Sequence, residues 1–188
     1  MSNKELLLST ALSLFAERGY SAVGVQEIVD SVGVTKPTLY HYFEGKKGLL
    51  EEIIKRKTSV FVQVFFQAAE YHHDLTYTLQ KMMKAILAFA KQDPVFYRYF
   101  TSLRFSPMNS VEKTCVEPVY ALIDKKLQSL FVSSVNEHGN LRGKEDIQTV
   151  TFWGFATEIA YLVLDGKMEE TESSVYHALR QFEFGIYS

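Results

Sequence analysis

The chain has 188 residues, of which 47% are hydrophobic and 22% are charged, which excludes the composition of a disordered protein. Its net charge of −2 excludes nucleic-acid binding by bulk positive charge, so any contact with DNA must depend on locally placed cations. The single cysteine, Cys115, excludes an intramolecular disulfide. The first residues lack a basic leader followed by an apolar run and a small-residue cleavage site, so we expect no signal peptide, and the longest apolar run, 152–164, contains Glu158. We therefore expect a cytoplasmic protein without membrane contact.

Apolar residues recur at helical spacing from the beginning of the chain. The first stripe runs over 6–16, where Ser2 or Asn3 can cap its start and Gly19 can end it. A short helix is predicted over 25–32, and Gly33 should end it. Pro and Gly number only 4 and 10, which favours helices elsewhere. The further predicted helices span 35–43, 46–71, 75–91, 93–105, 110–138, 144–166 and 171–186.

The resulting prediction is an all-α fold of about nine helices, because no β-alternating run of useful length occurs. Pro118 lies inside the predicted helix 110–138, so it should either kink that helix or move its start downstream. We expect two domains, an N-terminal three-helix domain over 1–45 and a larger helical bundle over 46–188.

The segment from Val25 to Phe43 has the form of a helix-turn-helix. Gly33 can supply the positive φ that a sharp turn between two short helices needs. Ile28 and Leu39 are spaced to lock the two helices together. The second of these helices would then enter a DNA major groove.

The outward side chains of that second helix suit DNA. Hydroxyls can contact phosphates or base edges, a lysine at the helix N-terminal end can reach bases, and a proline offers an apolar surface to a thymine methyl. Lys46 opens the next helix, where exposed amides favour a phosphate. The candidate DNA-binding residues are Thr35, Lys36, Pro37, Thr38, Tyr40, His41 and Lys46.

The segment "ALSLFAERGYSAVGVQEIVDSVGVTKPTLYHYFEGKKGLLEEI" resembles the DNA-binding domain of the TetR family of bacterial transcriptional repressors. The resemblance covers about 7–53 and implies that the seven residues above touch DNA. One departure is Val23-Gly24-Val25, where the family often has Thr at the start of its second helix. The Gly24 backbone should serve as the cap there, and Gln26 is a weaker substitute for the missing phosphate contact.

Beyond residue 57 the sequence contains no constellation of acid, base and nucleophile, so we expect neither enzymatic activity nor a cofactor. His72-His73-Asp74 lacks a second ligand pair at metal-binding spacing, and no metal site is predicted. The alternative is a helical enzyme or carrier with an internal pocket and an incidental helix-turn-helix. That alternative leaves the polar outward face of the second helix unexplained.

Large aromatic residues are concentrated in the C-terminal part of the chain. They can form a core, but so many rings can also surround a cavity for an apolar or aromatic effector. Members of the TetR family bind a small effector in their C-terminal domain, which the resemblance also implies here. The candidate effector-binding residues are Phe61, Phe65, Phe89, Phe96, Phe100, Tyr120 and Trp153.

The last two predicted helices have broad apolar faces that one chain of this size can hardly cover, which indicates a symmetric dimer. The resemblance to the TetR family implies that the same two helices form the dimer interface. The candidate interface residues are Phe152, Phe155, Ile159, Val163, Leu179 and Phe182. The predicted function is therefore a homodimeric repressor that binds a palindromic operator in double-stranded DNA and responds to a small-molecule effector. An activator is the minor alternative.

Overall fold

The computed structural model describes residues 2–184, except for the side chain of Asn140. Nine α-helices and one short 3-10 helix lie within this range, which contains no β-strand, so the predicted all-α fold is confirmed. The α-helices are α1 Asn3–Arg18, α2 Val25–Val32, α3 Lys36–Phe43, α4 Lys46–Ala68, α5 Leu75–Gln92, α6 Pro94–Leu103, α7 Val111–Ser134, α8 Glu145–Leu164 and α9 Glu172–Phe184. The 3-10 helix is Gly139–Leu141.

The ends of the first helices follow from local side-chain and backbone chemistry. Ser2 caps α1, since its hydroxyl accepts from the Glu5 amide while the Glu5 carboxylate accepts from the Ser2 amide. Gly24 precedes α2 without a side-chain hydrogen bond, as predicted. Gly33 ends α2 in the left-handed conformation, with φ 74°. Glu44 ends α3 in the same conformation, with φ 59°.

Pro118 does not determine where α7 begins. The helix starts at Val111 and contains Pro118 in its interior, so the alternative of a start moved downstream is wrong. A proline lacks an amide hydrogen and costs one backbone hydrogen bond at this point. The seven residues before it still form helix.

The chain divides into two compact units that do not follow the order of the sequence. Unit 1 comprises Val95–Tyr120 and the chain up to Val60, and unit 2 comprises Phe61–Pro94 and the chain from Ala121. The functional boundary expected between residues 45 and 46 stays a prediction.

The core of unit 1 is formed around one face of α1. Leu7, Ala11 and Phe15 are fully buried there, together with Ile28 of α2 and Leu39 of α3. Their spacing on α1 is four residues, which places them on one side of a helix. This core fixes α2 and α3 in place and leaves the remaining sides of α3 to the solvent.

One helix of the described part of the chain, α8, is long and apolar enough to cross a membrane by length and composition alone. A third of its 18-residue apolar window is buried by the rest of the chain. Helices that pack in the core or at the interface of a globular protein have the same composition.

Candidate nucleic-acid interface

The turn between α2 and α3 is closed by backbone hydrogen bonds around Gly33. The amide of Gly33 donates to the carbonyl of Asp30 at 3.2 Å, and the amide of Val34 donates to the carbonyl of Val29 at 3.0 Å. The positive φ of Gly33 carries little cost because glycine has no Cβ. The turn therefore holds α3 at a defined angle against α2.

The solvent-facing side of α3 contains most of the predicted DNA-binding residues. Thr35, Lys36, Pro37, Tyr40 and His41 are exposed, and the Tyr40 side chain reaches 52% exposure. Within residues 2–184, no carboxylate pairs with the Lys36 ammonium. This part of the surface therefore offers a cation, hydroxyls and aromatic rings to a partner.

Thr38 is only half-buried and is connected to the start of the same helix. Its hydroxyl oxygen lies 3.0 Å from that of Thr35, which stands in the N-cap position without bonding to the helix amides. Either hydroxyl can donate to the other, and the remaining hydroxyl hydrogen can then donate to an acceptor on a partner. The pair is suited to a phosphate oxygen.

Tyr42 was not among the predicted contacts, yet its side chain is 39% exposed on α3. Its ring centroid lies 5.4 Å from that of His41. Only Leu39 and Phe43, four residues apart, are buried on this helix. That spacing alone places Tyr42 toward solvent, so the sequence did contain the signal.

Gln26 is exposed on α2, and its amide group is already bonded. Its Nε2 atom donates to the Asp30 carboxylate at 2.7 Å, one helical turn further on. The side-chain carbonyl and the second amide hydrogen are left for an outside partner. The DNA contact predicted for Gln26 stays a prediction.

Lys46 at the start of α4 has a structural role that was not predicted. Its ammonium donates to the carbonyls of Tyr20 and Val23 at 2.9 and 2.8 Å, and it lies 4.1 Å from the centroid of the Tyr20 ring. Burial lowers the pKa of this ammonium, while the Glu112 carboxylate acts in the opposite direction. One of its three hydrogens remains for the predicted phosphate.

Gly48 was not among the residues predicted to matter for this surface. It lets α4 begin directly beside the end of α3. A Cβ atom built at Gly48 would lie 1.9 Å from the carbonyl oxygen of Phe43. Real Cβ atoms do not come so close to an oxygen, so this position excludes every larger residue without a backbone shift. The glycine thereby fixes the corner that follows α3.

The seven predicted effector-binding residues are all buried, and they form two groups of packed rings. In unit 2, the stacked rings of Phe61 and Phe89 have centroids 4.1 Å apart, and the nearly perpendicular rings of Phe65 and Trp153 have centroids 6.0 Å apart. In unit 1, the ring centroids of Phe96 and Phe100 lie 5.7 Å apart, and those of Phe100 and Tyr120 lie 4.9 Å apart. Their contact with an effector stays a prediction.

The predicted dimer residues fall into two classes. Phe152, Ile159 and Leu179 are buried by their own chain. Phe155, Val163 and Phe182 are partly exposed. The large apolar side chains that α8 and α9 expose most are Ile147, Val150, Leu162, Tyr176 and Phe184.

Neither the cysteine nor the histidines suggest metal or thiol chemistry. Cys115 is buried in unit 1, and burial raises the pKa of its thiol to about 11, which disfavours the reactive thiolate. Within residues 2–184, no group of three or more His, Cys, Asp or Glu side chains could hold a metal ion. His73 instead bonds to the Glu137 carboxylate.

Comparison with known proteins identifies the domain that carries α3. Residues 7–53 match the family described as "Bacterial regulatory proteins, tetR family". The HTH-type transcriptional activator FasR of Mycolicibacterium smegmatis is 31% identical over 126 residues, which cover 63% of this chain and 58% of FasR. The HTH-type transcriptional repressor KstR2 of Rhodococcus jostii is 43% identical over 49 residues, which cover 26% of this chain and 24% of KstR2.

Solved structures extend the likeness of fold to almost the whole chain. A TetR-like transcriptional regulator from Rhodococcus sp. RHA1 has a TM-score of 0.73 at 18% identity, covering 96% of this chain and 92% of that one. The regulator FadR of Bacillus subtilis, solved in complex with stearoyl-CoA, has a TM-score of 0.76 at 17% identity. The match covers 97% of this chain and 99% of the FadR chain. Residues 7–53 therefore form a domain of the TetR family of bacterial regulatory proteins, and the chain as a whole shares the fold of solved TetR-like transcriptional regulators.

Proposed function

We propose that this protein is a cytoplasmic, homodimeric transcriptional repressor that binds a palindromic operator in double-stranded DNA and is released by a small apolar or aromatic effector. The observation that carries the proposal is the exposed face of α3 in a domain that matches the TetR family over residues 7–53. The operator, effector and dimer are parts of this proposal.

The DNA contacts would be made by the exposed face of α3. Lys36 is exposed and has no carboxylate partner among the described residues, so its ammonium can reach a guanine edge or a phosphate. Tyr40 and His41 follow on the same helix and would bond to the phosphates that flank the groove. Base contacts specify the sequence, while phosphate contacts fix the position of the helix.

The dimer would form through the exposed apolar stripe of α8. Ile147, Val150 and Leu162 are exposed on that helix, and Gly154 lies between them with no atom near the position of a Cβ. Tyr176 of α9 adds an exposed ring. Two copies of such a stripe can pair about a two-fold axis, and a two-fold axis in the protein matches a palindromic operator.

Release by an effector requires that the effector bind better to a state of the dimer that fits the operator poorly. The effector then lowers DNA affinity by the same factor by which DNA lowers effector affinity. The buried ring group of Phe61, Phe65, Phe89 and Trp153 is where we propose an apolar or aromatic effector contacts unit 2. Because FadR of Bacillus subtilis was solved with stearoyl-CoA, acyl-CoA is included among the compounds to test.

The test is fluorescence anisotropy with the duplex that lies directly upstream of the protein's own gene. Lys36→Ala and Tyr40→Phe should weaken binding, and each lost direct contact should reduce affinity about tenfold. Lys47→Ala is the matched control, since Lys47 is exposed on α4 and pairs with Glu51 at 3.6 Å. If both α3 variants bind as the parent does, the assignment of this surface to DNA is wrong.

An activator is the second candidate, because FasR is named as one and KstR2 as a repressor. A reporter gene placed behind the same upstream duplex separates the two functions. Deleting the gene for this protein should raise expression of the reporter if the protein represses and lower it if the protein activates. The DNA contacts proposed above are the same in both cases.

A further inference from the structure

A cavity of about 190 Å³ in unit 2 lies apart from the aromatic residues predicted for the effector. We call it the α9 cavity, since residues at the end of α9 line it together with parts of α5, α7 and α8. Its apolar wall includes Leu79, Phe131 and Phe182, and its polar wall includes Thr76, His138 and Glu183. None of the seven predicted effector-binding residues lines it.

The volume of the α9 cavity indicates how large a part of a ligand it can enclose. An apolar cavity of roughly 150 Å³ accommodates one benzene molecule. A space of about 190 Å³ therefore accommodates one six-membered ring with a side chain of two or three atoms. A long acyl chain or a multi-ring compound could not lie wholly within it.

Glu183 gives the cavity its electrostatic character. Only 13% of its side chain is exposed, and its Oε1 atom accepts a hydrogen bond from the Thr76 hydroxyl at 2.5 Å. Among the described residues, its Oε2 atom is buried without a hydrogen-bond partner, and the Nη1 atom of Arg180 lies 3.8 Å from it. An ionised carboxylate only accepts hydrogen bonds, so Glu183 retains capacity for a further donor.

The aromatic wall favours the same kind of ligand as the carboxylate. Phe131 is buried and Phe182 is partly exposed, and both rings line the cavity. The faces of aromatic rings attract cations, and they also stack on an aromatic ligand. An anionic ligand would instead be repelled by Glu183, since like charges are costly in a partly buried site.

We propose that the α9 cavity is a second small-molecule site, which binds a primary ammonium ion attached to a single ring. The ammonium would donate to Glu183 and the ring would contact Phe131 and Phe182. The site is separate from the effector and operator contacts of the proposed function, so either can fail without the other.

Isothermal titration calorimetry on the full-length protein tests this with three ligands of one shape: 2-phenylethylamine, 2-phenylethanol and phenylacetate. The cation should bind at least tenfold more tightly than the neutral alcohol, and the anion most weakly. Equal affinities, tighter binding of phenylacetate, or no measurable binding of the amine would each overturn the proposal.

Variants locate the site. Glu183→Gln should weaken binding of the amine about tenfold, the usual effect of losing a charge-assisted hydrogen bond, and should leave the alcohol within about twofold. Thr76→Val removes the hydroxyl that donates to the Glu183 carboxylate and should also weaken binding of the amine. Gln148→Trp should reduce binding of both ligands, because Gln148 lines the cavity and a larger side chain fills it. Amine binding that is unchanged in all three variants would overturn the assignment.

Discussion

The Cα atom of Gly48 faces the carbonyl oxygen of Phe43 so closely that a Cβ on Gly48 would lie 1.9 Å from it. This contact joins the first turn of α4 to the last residue of α3. A side chain of any size at position 48 must displace one of the two backbones. The orientation of α3 therefore depends on a residue outside the helix-turn-helix itself.

Gly48→Ala is expected to destabilise the protein by about 3 kcal/mol, because the added methyl group overlaps a backbone atom that cannot rotate away. Chemical denaturation measures the change in the free energy of unfolding. Gly139→Ala is the control, since no atom lies within 4 Å of a Cβ at Gly139. We expect it to change stability by less than about 0.5 kcal/mol. Equal effects of the two variants would contradict this reading of the corner.

Lys46→Met is expected to lower the free energy of unfolding by about 2 kcal/mol. It leaves the carbonyls of Tyr20 and Val23 without the charged donor that now bonds to both. Lys47→Met keeps the same change in charge and size at an exposed neighbour, where loss of the pair with Glu51 should cost less than about 0.5 kcal/mol. Thermal melts of the two variants compare them directly. A Lys46 variant as stable as the Lys47 variant would rule out the internal role.

Val150→Asp is expected to convert the proposed dimer to monomers, since it places a charge in the middle of the exposed apolar stripe of α8. Sedimentation velocity at micromolar concentration measures the change. Val64→Asp on α4 is the matched control, because its exposure of 44% is close to the 51% of Val150. The control should sediment as the parent does. A monomeric parent, or a dimer that survives in the Val150 variant, would refute the interface.

His73→Ala is expected to raise the pKa of the Glu137 carboxyl toward its ordinary value. The hydrogen bond from His73, and after it the one from Tyr71, holds that pKa below its usual range. A carboxyl whose folded pKa is lowered contributes stability above its unfolded pKa, and the contribution is lost as the pH falls through the folded pKa. NMR titration of the side-chain carboxyl measures the shift.

His72→Ala is the control for that titration. The Nε2 atom of His72 lies 3.9 Å from the Glu70 carboxylate, and within residues 2–184 His72 makes no bond to Glu137. The pKa of Glu137 should therefore stay at its parent value in this variant. A shift equal to that of the His73 variant would show that the loop as a whole, and not the His73 bond, lowers the pKa.

The helices could be predicted because their signals are local. Ser2, Gly33 and the spacing of Leu39 and Phe43 act within one or two turns of the residues that they organise. The role of Lys46 could not be predicted, since its partner carbonyls lie 26 and 23 residues earlier in the chain. The sequence predicts Lys46 as a DNA contact at the start of α4. Only the folded domain shows that its ammonium points toward the loop before α2.

The apolar residues show the same limit. Periodicity identifies Phe152 and Val150 as apolar positions of one helix, but it cannot say which the chain covers by itself. Packing buries Phe152 and leaves Val150 exposed. The α9 cavity was missed for a similar reason, because Thr76 and Glu183 are 107 residues apart in sequence.

The length of α3 sets a limit on what the protein could read. Eight residues rise about 12 Å along a helix axis, which is close to the width of a major groove. Stacked base pairs repeat about every 3.4 Å, so a helix of this length can face about four of them. In the proposed dimer, an operator would therefore consist of two short half-sites at a fixed spacing. Changing that spacing by half a turn of the duplex would reduce DNA affinity as much as changing the bases of either half-site.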